Sequence, residues 1–266
     1  FSNAKDLGKG RQMPVHYGSS DLNFMTISSP LATQIPQAAG YAYGQKLAGK
    51  SACTLCYFGE GAASEGDFHA GLNMAAVLQC PVVFVARNNG YAISTPSTEQ
   101  FAGDGIAPRG VGYGLKTIRV DGNDILAVYA AAIAARKIAV QEQRPVLIET
   151  MSYRLGAHST SDDPSGYRSA EEEDEWRQKD PIVRMKNWLI NQKWWDESRD
   201  EDLQKNYRKE ILEELKLAEK RPKPPLSDLI TDVYQDTPAH LLEQFESLEK
   251  HVAKYPDSYK AHGENS

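Results

Sequence analysis

A chain of 266 residues with 41% hydrophobic and 25% charged side chains can bury a full core and fits one large domain with an appendage. Its formal net charge of −6 gives no reason to expect nucleic acid or an anionic membrane as partner, and no apolar run reaches the ~18 uninterrupted residues of a membrane span. Three cysteines, an odd number in a chain this long, argue against a secreted disulfide scaffold.

Residues 1 to about 165 alternate strand-like and helix-like text. The patterning predicts strands over Phe24–Ile27, Ala52–Phe58, Val82–Ala86, Lys116–Val120 and Pro145–Met151, short apolar runs that suit the inner strands of a parallel sheet. Helices are expected over 34–48, 65–79 and 125–142, the last opening after Asp121-Gly122-Asn123-Asp124 with Asp124 as its N-cap. This alternation predicts an α/β fold, a mainly parallel sheet with helices on both faces. Cys53 and Cys56 form a C-x-x-C. On a strand, positions three apart point to opposite faces, and no second pair or nearby His completes a zinc site, so both read as buried apolar fillers.

Past residue 165 the text becomes helical, which predicts an α/β domain over 1–168 and a C-terminal helical region over 169–266. Glu171–Glu175 reads as a solvated helix start. Leu203, Tyr207, Ile211 and Leu215 recur every four residues, with Leu212 beside them, on one face of an amphipathic helix. Lys220–Pro225 is a stiff linker, and Leu241, Leu242, Phe245, Leu248 and Val252 mark a last amphipathic helix. Packing of these helices on their own domain or on a partner subunit is equally compatible with the pattern.

The chemistry concentrates in two short pieces. Gly59-Glu60-Gly61 closes the run Ala52–Phe58, and Asn88-Asn89 closes the run Pro81–Ala86, with one helix's worth of sequence between. Both therefore fall at the carboxyl ends of strands in one strand–helix–strand unit, where open parallel sheets bind ligands. A carboxylate and a carboxamide meeting there offer hard oxygen ligands suited to Mg²⁺ holding a diphosphate, and Arg87 beside them can grip phosphate oxygens. Each piece alone is an ordinary solvated turn; the joint spacing, with a strand before each, favours the ligand reading.

This constellation resembles the thiamin-diphosphate motif, Gly-Asp-Gly followed at similar spacing by Asn-Asn. Four segments occur in one order: Ser28-Ser29-Pro30-Leu31-Ala32-Thr33-Gln34, Gly59-Glu60-Gly61-Ala62-Ala63-Ser64-Glu65-Gly66-Asp67, Arg87-Asn88-Asn89-Gly90-Tyr91-Ala92-Ile93-Ser94 and His158-Ser159-Thr160-Ser161-Asp162-Asp163. Together they resemble the alpha subunits of the branched-chain 2-oxo acid dehydrogenases, with Glu60 where the wider cofactor family has Asp. The resemblance covers essentially the whole chain, most strongly 6–169. It implies a thiamin-diphosphate-binding fold.

It also implies roles. Glu60 and Asn89 would bind Mg²⁺ through side-chain oxygens and Tyr91 through its backbone carbonyl. Gly59, Gly61 and Ala62 would let the backbone approach the diphosphate, and Ser64 is expected to cap the following helix. Ser29, Leu31, Arg87 and Ile93 would also contact the cofactor, and Ser28, Thr33 and Gln34 would hold a structural K⁺. A lone loop histidine is usually just exposed. The resemblance makes His158 the catalytic residue, which contacts the cofactor, moves protons and serves acyl transfer to lipoamide, work to which an imidazole is suited. Ser159 and Ser169 match phosphorylation positions of animal relatives, where many members have a second His in place of Ala157.

The function implied is oxidative decarboxylation of branched-chain 2-oxo acids such as 3-methyl-2-oxobutanoate, with the acyl group passed to the lipoyl group of a dihydrolipoyl acyltransferase. The rivals are a pyruvate or acetoin dehydrogenase alpha subunit and, in a different class, a non-catalytic nucleotide-binding or scaffold module. No carboxylate assignable to the cofactor's aminopyrimidine is found; in the family it belongs to a beta subunit, in a tetramer of two alpha and two beta chains. A regulatory kinase and phosphatase are further implied partners. The compartment implied is the mitochondrial matrix in a eukaryote and the cytoplasm in a bacterium. Because the family's alpha subunits extend before the point matching Phe1, with a Tyr-Arg pair that helps grip the diphosphate, the chain is expected to be a fragment.

Overall fold

The apolar runs around Val83 and Leu147 form the two inner strands of a sheet covered on both faces. The computed structural model describes residues 1–259 and divides into two compact units, Pro30–Asp196 and a second made of Phe1–Ser29 with the residues from Glu197 onward. The Pro30–Asp196 unit contains strands β1 (Thr54–Gly59), β2 (Val82–Asn88), β3 (Tyr91–Ala92), β4 (Thr95–Pro96), β5 (Lys116–Asp121) and β6 (Val146–Met151). Its helices are α1 (Gln34–Leu47), α2 (Gly66–Val77), α3 (Ser97–Gln100), α4 (Ala107–Gly112), α5 (Ile125–Gln141), α6 (Ala170–Arg177) and α7 (Pro181–Asn191).

The main sheet is four-stranded and parallel throughout, in the order β1-β2-β6-β5, while β3 and β4 form a separate antiparallel ribbon. Val82, Phe84, Ala86 and Leu147 face a core built with Ile35, Ala38, Ala39 and Ala42 of α1 and Phe68, Leu72 and Ala75 of α2. The alternate residues Val83, Val146 and Ile148 face Ala135 and Ala139 of α5. Small residues every fourth position let α5 lie close on the sheet, and Asp124 caps it as expected, accepting from the amides of Leu126 and Ala127 at 3.0 Å. Fully buried Phe68 and Phe84 each contribute about 2–3 kcal/mol relative to exposure. Cys56 joins the α1–α2 core and Cys53 packs on the α5 side, as the strand period requires, and burial pushes the Cys56 thiol up to about 11.

Residues 169–196 do not separate from the α/β unit. Trp176 of α6 stacks on Tyr153 with centroids 5.1 Å apart, and Arg184 of α7 reaches Asp121 at the end of β5 at 2.8 Å. These contacts keep α6 and α7 with the sheet, so the boundary between units falls after Asp196 rather than at 168/169. The acidic run does open a helix, with the Ser169 side chain accepting from the Glu172 amide at 3.2 Å. Helix α7 escaped the sequence reading although Asp180-Pro181 announces it: the Asp180 carboxylate accepts from the amides of Ile182 and Val183.

The other unit holds α8 (Glu197–Glu219), α9 (Asp228–Thr231) and α10 (Ala239–Lys254). Its N-terminal stretch is tied down by Lys9 and Arg11, which pair with Asp232 at 2.8 and 2.6 Å, and by the Ala4 amide on the Pro222 carbonyl at 2.8 Å. The strand expected at Phe24–Ile27 does not form; the segment makes the isolated bridge Ser19–Phe24 and one further bond, from the Ile27 amide to the Tyr17 carbonyl at 3.1 Å. A β-rich run needs a neighbouring strand to satisfy its amides, and none lies beside it among the described residues. Leu203, Tyr207, Ile211 and Leu215 do lie on one helix, α8, and all are exposed. Among the described residues no helix is long and apolar enough to cross a membrane.

Candidate functional site

Because β1 and β2 are neighbours with Gly59 opposite Arg87, the residues that follow each strand emerge side by side at the carboxyl edge of the sheet. Glu60 is buried, and its Oε2 accepts from the Asn89 amide at 3.0 Å. The Asn89 Oδ1 in turn accepts from the Tyr91 amide at 3.1 Å, closing a tight turn through Gly90. The structure therefore brings the carboxylate of the first piece to the backbone of the second, while the Asn89 carboxamide oxygen is turned to the Tyr91 amide.

The charge state of Glu60 is informative. Burial raises its pKa above the ordinary carboxylate value, against the amides of Asn89 and of Glu60 itself and the more distant guanidinium groups of Arg154 and Arg87. Among the described residues it makes no ion pair. A buried carboxylate held only by backbone amides fits a cation at its other oxygen, and the hard oxygens of Glu60 and Asn89 fit Mg²⁺.

The turn after Glu60 is tightly wedged. A Cβ on Gly61 would stand 3.1 Å from the Ala92 Cβ, so a larger residue there would have to push the β3–β4 ribbon back by a few tenths of an ångström. Ala62–Ser64 form one 3₁₀ turn. The expectation that Ser64 caps α2 is corrected: α2 begins at Gly66 after Glu65, with no side-chain cap, and the Ser64 hydroxyl donates to Gln100 Oε1 at 3.3 Å. The extra turn displaces Ser64 from the helix start. Arg87 is exposed at the end of β2, and Ile93, also exposed, has a left-handed backbone (φ 55°).

The segment Ser152–Arg168 follows β6 and is fastened to the Asn88–Ile93 turn. The Ser152 amide donates to the Asn88 carbonyl at 2.8 Å, and Arg154 Nη2 donates to the Ile93 carbonyl at 2.6 Å and to the Tyr167 hydroxyl at 2.9 Å. Tyr91 carries its ring against Tyr153 and Tyr167 and its hydroxyl to Glu172 Oε1 at 3.0 Å. His158 is exposed on this loop, its amide donating to Asp162 Oδ2 at 2.7 Å. Ser159, next along, has its hydroxyl 3.3 Å from that of Ser161. Hydrogen bonds from the Tyr167 hydroxyl and the His158 amide hold the Asp162 carboxyl below the usual carboxylate range.

Other expected residues make local contacts of their own. Leu31 is exposed, while the Thr33 hydroxyl and the Gln34 amide both donate to the Pro30 carbonyl, at 3.3 and 3.2 Å, where α1 begins. Ser28 and Ser29 belong to the other unit, in which the Ser29 hydroxyl meets His16 Nε2 at 2.7 Å.

Sequence reasoning missed Glu149, Arg109 and Arg154, each bonded to one of these turns. A signal existed for Glu149: it follows Val146-Leu147-Ile148 inside a strand buried on both faces, where a carboxylate requires partners.

An open parallel sheet with a buried carboxylate and an Asn-Asn turn at its carboxyl edge is an α/β protein with its candidate ligand crevice at that edge. The profile of the dehydrogenase E1 component family matches residues 1–227, and the chain belongs to that family, whose members depend on thiamin diphosphate. It is similar to proteins named 2-oxoisovalerate dehydrogenase subunit alpha, mitochondrial: 56% identical over 260 residues to that of Homo sapiens and likewise 56% over 260 to that of Dictyostelium discoideum. The subunit alpha 1 of Arabidopsis thaliana is 54% identical over the same length. Each match takes in 97% of this chain but only 58%, 59% and 55% of the respective relative, so the chain spans little more than half the length of the proteins it resembles.

Proposed function

We propose that this chain is the part of a branched-chain 2-oxo acid dehydrogenase alpha subunit that holds the diphosphate end of thiamin diphosphate. The observation that carries the reading is the Asn89 amide on the Glu60 carboxylate at 3.0 Å, which unites both halves of the cofactor motif in a chain so similar to 2-oxoisovalerate dehydrogenase alpha subunits. When bound, thiamin diphosphate supplies the electron sink for cleaving the bond between a keto carbon and its carboxylate.

The protein's own residues bind and orient it. Glu60, Asn89 and the Tyr91 carbonyl hold Mg²⁺; Gly59, Gly61 and Ala62 offer backbone to the diphosphate, and Arg87 supplies a planar cation for its oxygens. Ser29, Leu31 and Ile93 contact the rest of the cofactor, and Ser28, Thr33 and Gln34 hold K⁺. His158 would hold and return a proton beside the substrate; its backbone amide is held by Asp162, which leaves the imidazole free for that task. Phosphorylation of Ser159 or Ser169 would regulate this loop.

The carboxylate that activates the cofactor's other ring comes from a beta subunit, in a tetramer of two chains of each kind. The acyl group passes to a lipoyl-bearing dihydrolipoyl acyltransferase. The names of the relatives support a mitochondrial setting and favour branched-chain substrates over pyruvate or acetoin.

Calorimetric titration of the full-length subunit with its beta partner should show thiamin diphosphate binding that requires Mg²⁺. The assembly should turn over 3-methyl-2-oxobutanoate faster than pyruvate. Absence of cofactor binding sinks the enzyme reading in favour of a scaffold, whereas preference for pyruvate moves the chain to the rival dehydrogenase class.

A further inference from the structure

Glu149 lies in β6 with no solvent exposure (0%), directly after the apolar run Val146-Leu147-Ile148. Its Oε1 accepts from Asn88 Nδ2 and from the Ile106 amide, each at 2.9 Å. Its Oε2 accepts from the Ala107 amide at 2.8 Å and from Arg119 Nε at 2.9 Å. Burial alone would push the carboxyl up, but these donors outweigh it and hold it below the usual carboxylate range. Main chain passes close by: Gly105 has φ +70°, and a Cβ there would stand 2.6 Å from Glu149 Oε1.

Two routes lead from this carboxylate to the cofactor turns. Along the first, Asn88 turns its Oδ1 to the Gly90 amide at 3.1 Å, which sets the bend presenting Asn89 to Glu60. Along the second, Glu149 pins residues 106 and 107, where α4 begins, and Arg109 of α4 donates to the Ala63 carbonyl at 2.7 Å beneath the turn that follows Glu60. The Arg109 guanidinium is steadied over the Phe101 ring at 4.5 Å. Stability alone does not account for a charge in this position, because well-packed apolar groups of like volume often serve a core as well or better.

We propose that Glu149 is a positioning residue for the cofactor, holding the Asn88–Tyr91 turn and the Glu60–Ser64 turn at one fixed spacing through Asn88 and through α4. The role deepens the thiamin diphosphate reading above and rests on it for affinity, though not for the order of the turns. Glu149→Gln keeps the shape but replaces an acceptor oxygen by an NH₂ group. Donors face both oxygens, so either orientation of the amide breaks a contact.

The test uses the full-length subunit assembled with its beta partner, at temperatures where melting curves show each variant folded. Without cofactor, Glu149→Gln should speed amide hydrogen exchange at residues 60–64 and 88–91. In titrations with thiamin diphosphate and Mg²⁺ it should raise Kd by about 10- to 100-fold, the scale for groups that orient metal ligands, and Glu149→Asp should recover part of that loss. Asn88→Ala should weaken binding too, and added to Glu149→Gln it should worsen Kd by less than about threefold, because both act along one route. Should Glu149→Gln not fold, Glu149→Asp replaces it in the same cycle. Unchanged exchange with wild-type Kd, or full additivity of the pair, overturns the proposal. Failure of the parent assembly to bind thiamin diphosphate would instead defeat the functional reading, and the exchange rates alone would then decide whether Glu149 orders the two turns.

Discussion

The Asp162 carboxylate receives the amide of His158 at 2.7 Å, and the same oxygen receives the Tyr167 hydroxyl at 2.7 Å. The loop bearing His158 is thus closed on itself by one anion, and Tyr167 passes the connection to Arg154.

That closure makes the loop sensitive to added charge. Ser159 lies next to His158 and faces Ser161, within a segment already ordered around Asp162. A phosphate there adds roughly −1.5 to −2 charges close to a carboxylate. Ser159→Glu should therefore reduce acyl transfer to the lipoyl carrier far more than Ser159→Ala, measured with the full-length assembly. Equal rates would show that the loop tolerates negative charge and that phosphorylation at this serine is no switch.

His158→Ala should leave the Kd for thiamin diphosphate nearly intact and cut kcat by roughly 10²-fold or more, the scale of a lost proton-transfer group. The fold of the loop should survive, because the contact to Asp162 uses the backbone amide rather than the imidazole. Weak binding with normal turnover is the outcome that removes the catalytic assignment.

Asn89→Ala should abolish most of the Mg²⁺-dependent part of cofactor affinity, since the proposed metal ligands would lose one side-chain oxygen. The Asn89 amide bond to Glu60 remains in that variant, so melting should shift less than binding does. Wild-type titration curves at low Mg²⁺ would take Asn89 out of the metal shell.

Glu149 links stability to pH with a defined sign. Its folded pKa lies below its unfolded value, so its contribution is fully present above about 4.3 and is lost as pH falls through the lowered folded value. Urea unfolding should show the largest gap between the parent and Glu149→Gln at neutral pH, narrowing in acid below that point. A gap that widens in acid contradicts an ionised Glu149.

The alpha subunit by itself, in full length, should show no decarboxylation of 3-methyl-2-oxobutanoate until a beta subunit is added. The metal and diphosphate ligands proposed above lie on the turns joined by the Asn89 amide and the Glu60 carboxylate, and no carboxylate of this chain is proposed for the cofactor's other ring. Substantial turnover by alpha alone would defeat the shared-site reading.

Sequence by itself determined the inner strands, α1, α2 and α5, the Asp124 cap and the opposite faces of Cys53 and Cys56, because each follows from a short repeat or a local hydrogen bond. The meeting of Glu60 with Asn89 was legible too, since a strand–helix–strand unit of that length brings the two strand ends together. Tertiary structure decided what depends on partners far along the chain. Phe24–Ile27 has strand-like residues but no neighbouring strand, and Ser64 has a capping residue's chemistry but is drawn to Gln100 by the 3₁₀ turn. Glu149 owes its place to donors from residues 88, 106, 107 and 119, and no spacing rule joins these. Local periodicity reports which face of an element turns inward; only packing of distant segments reports which polar groups meet there.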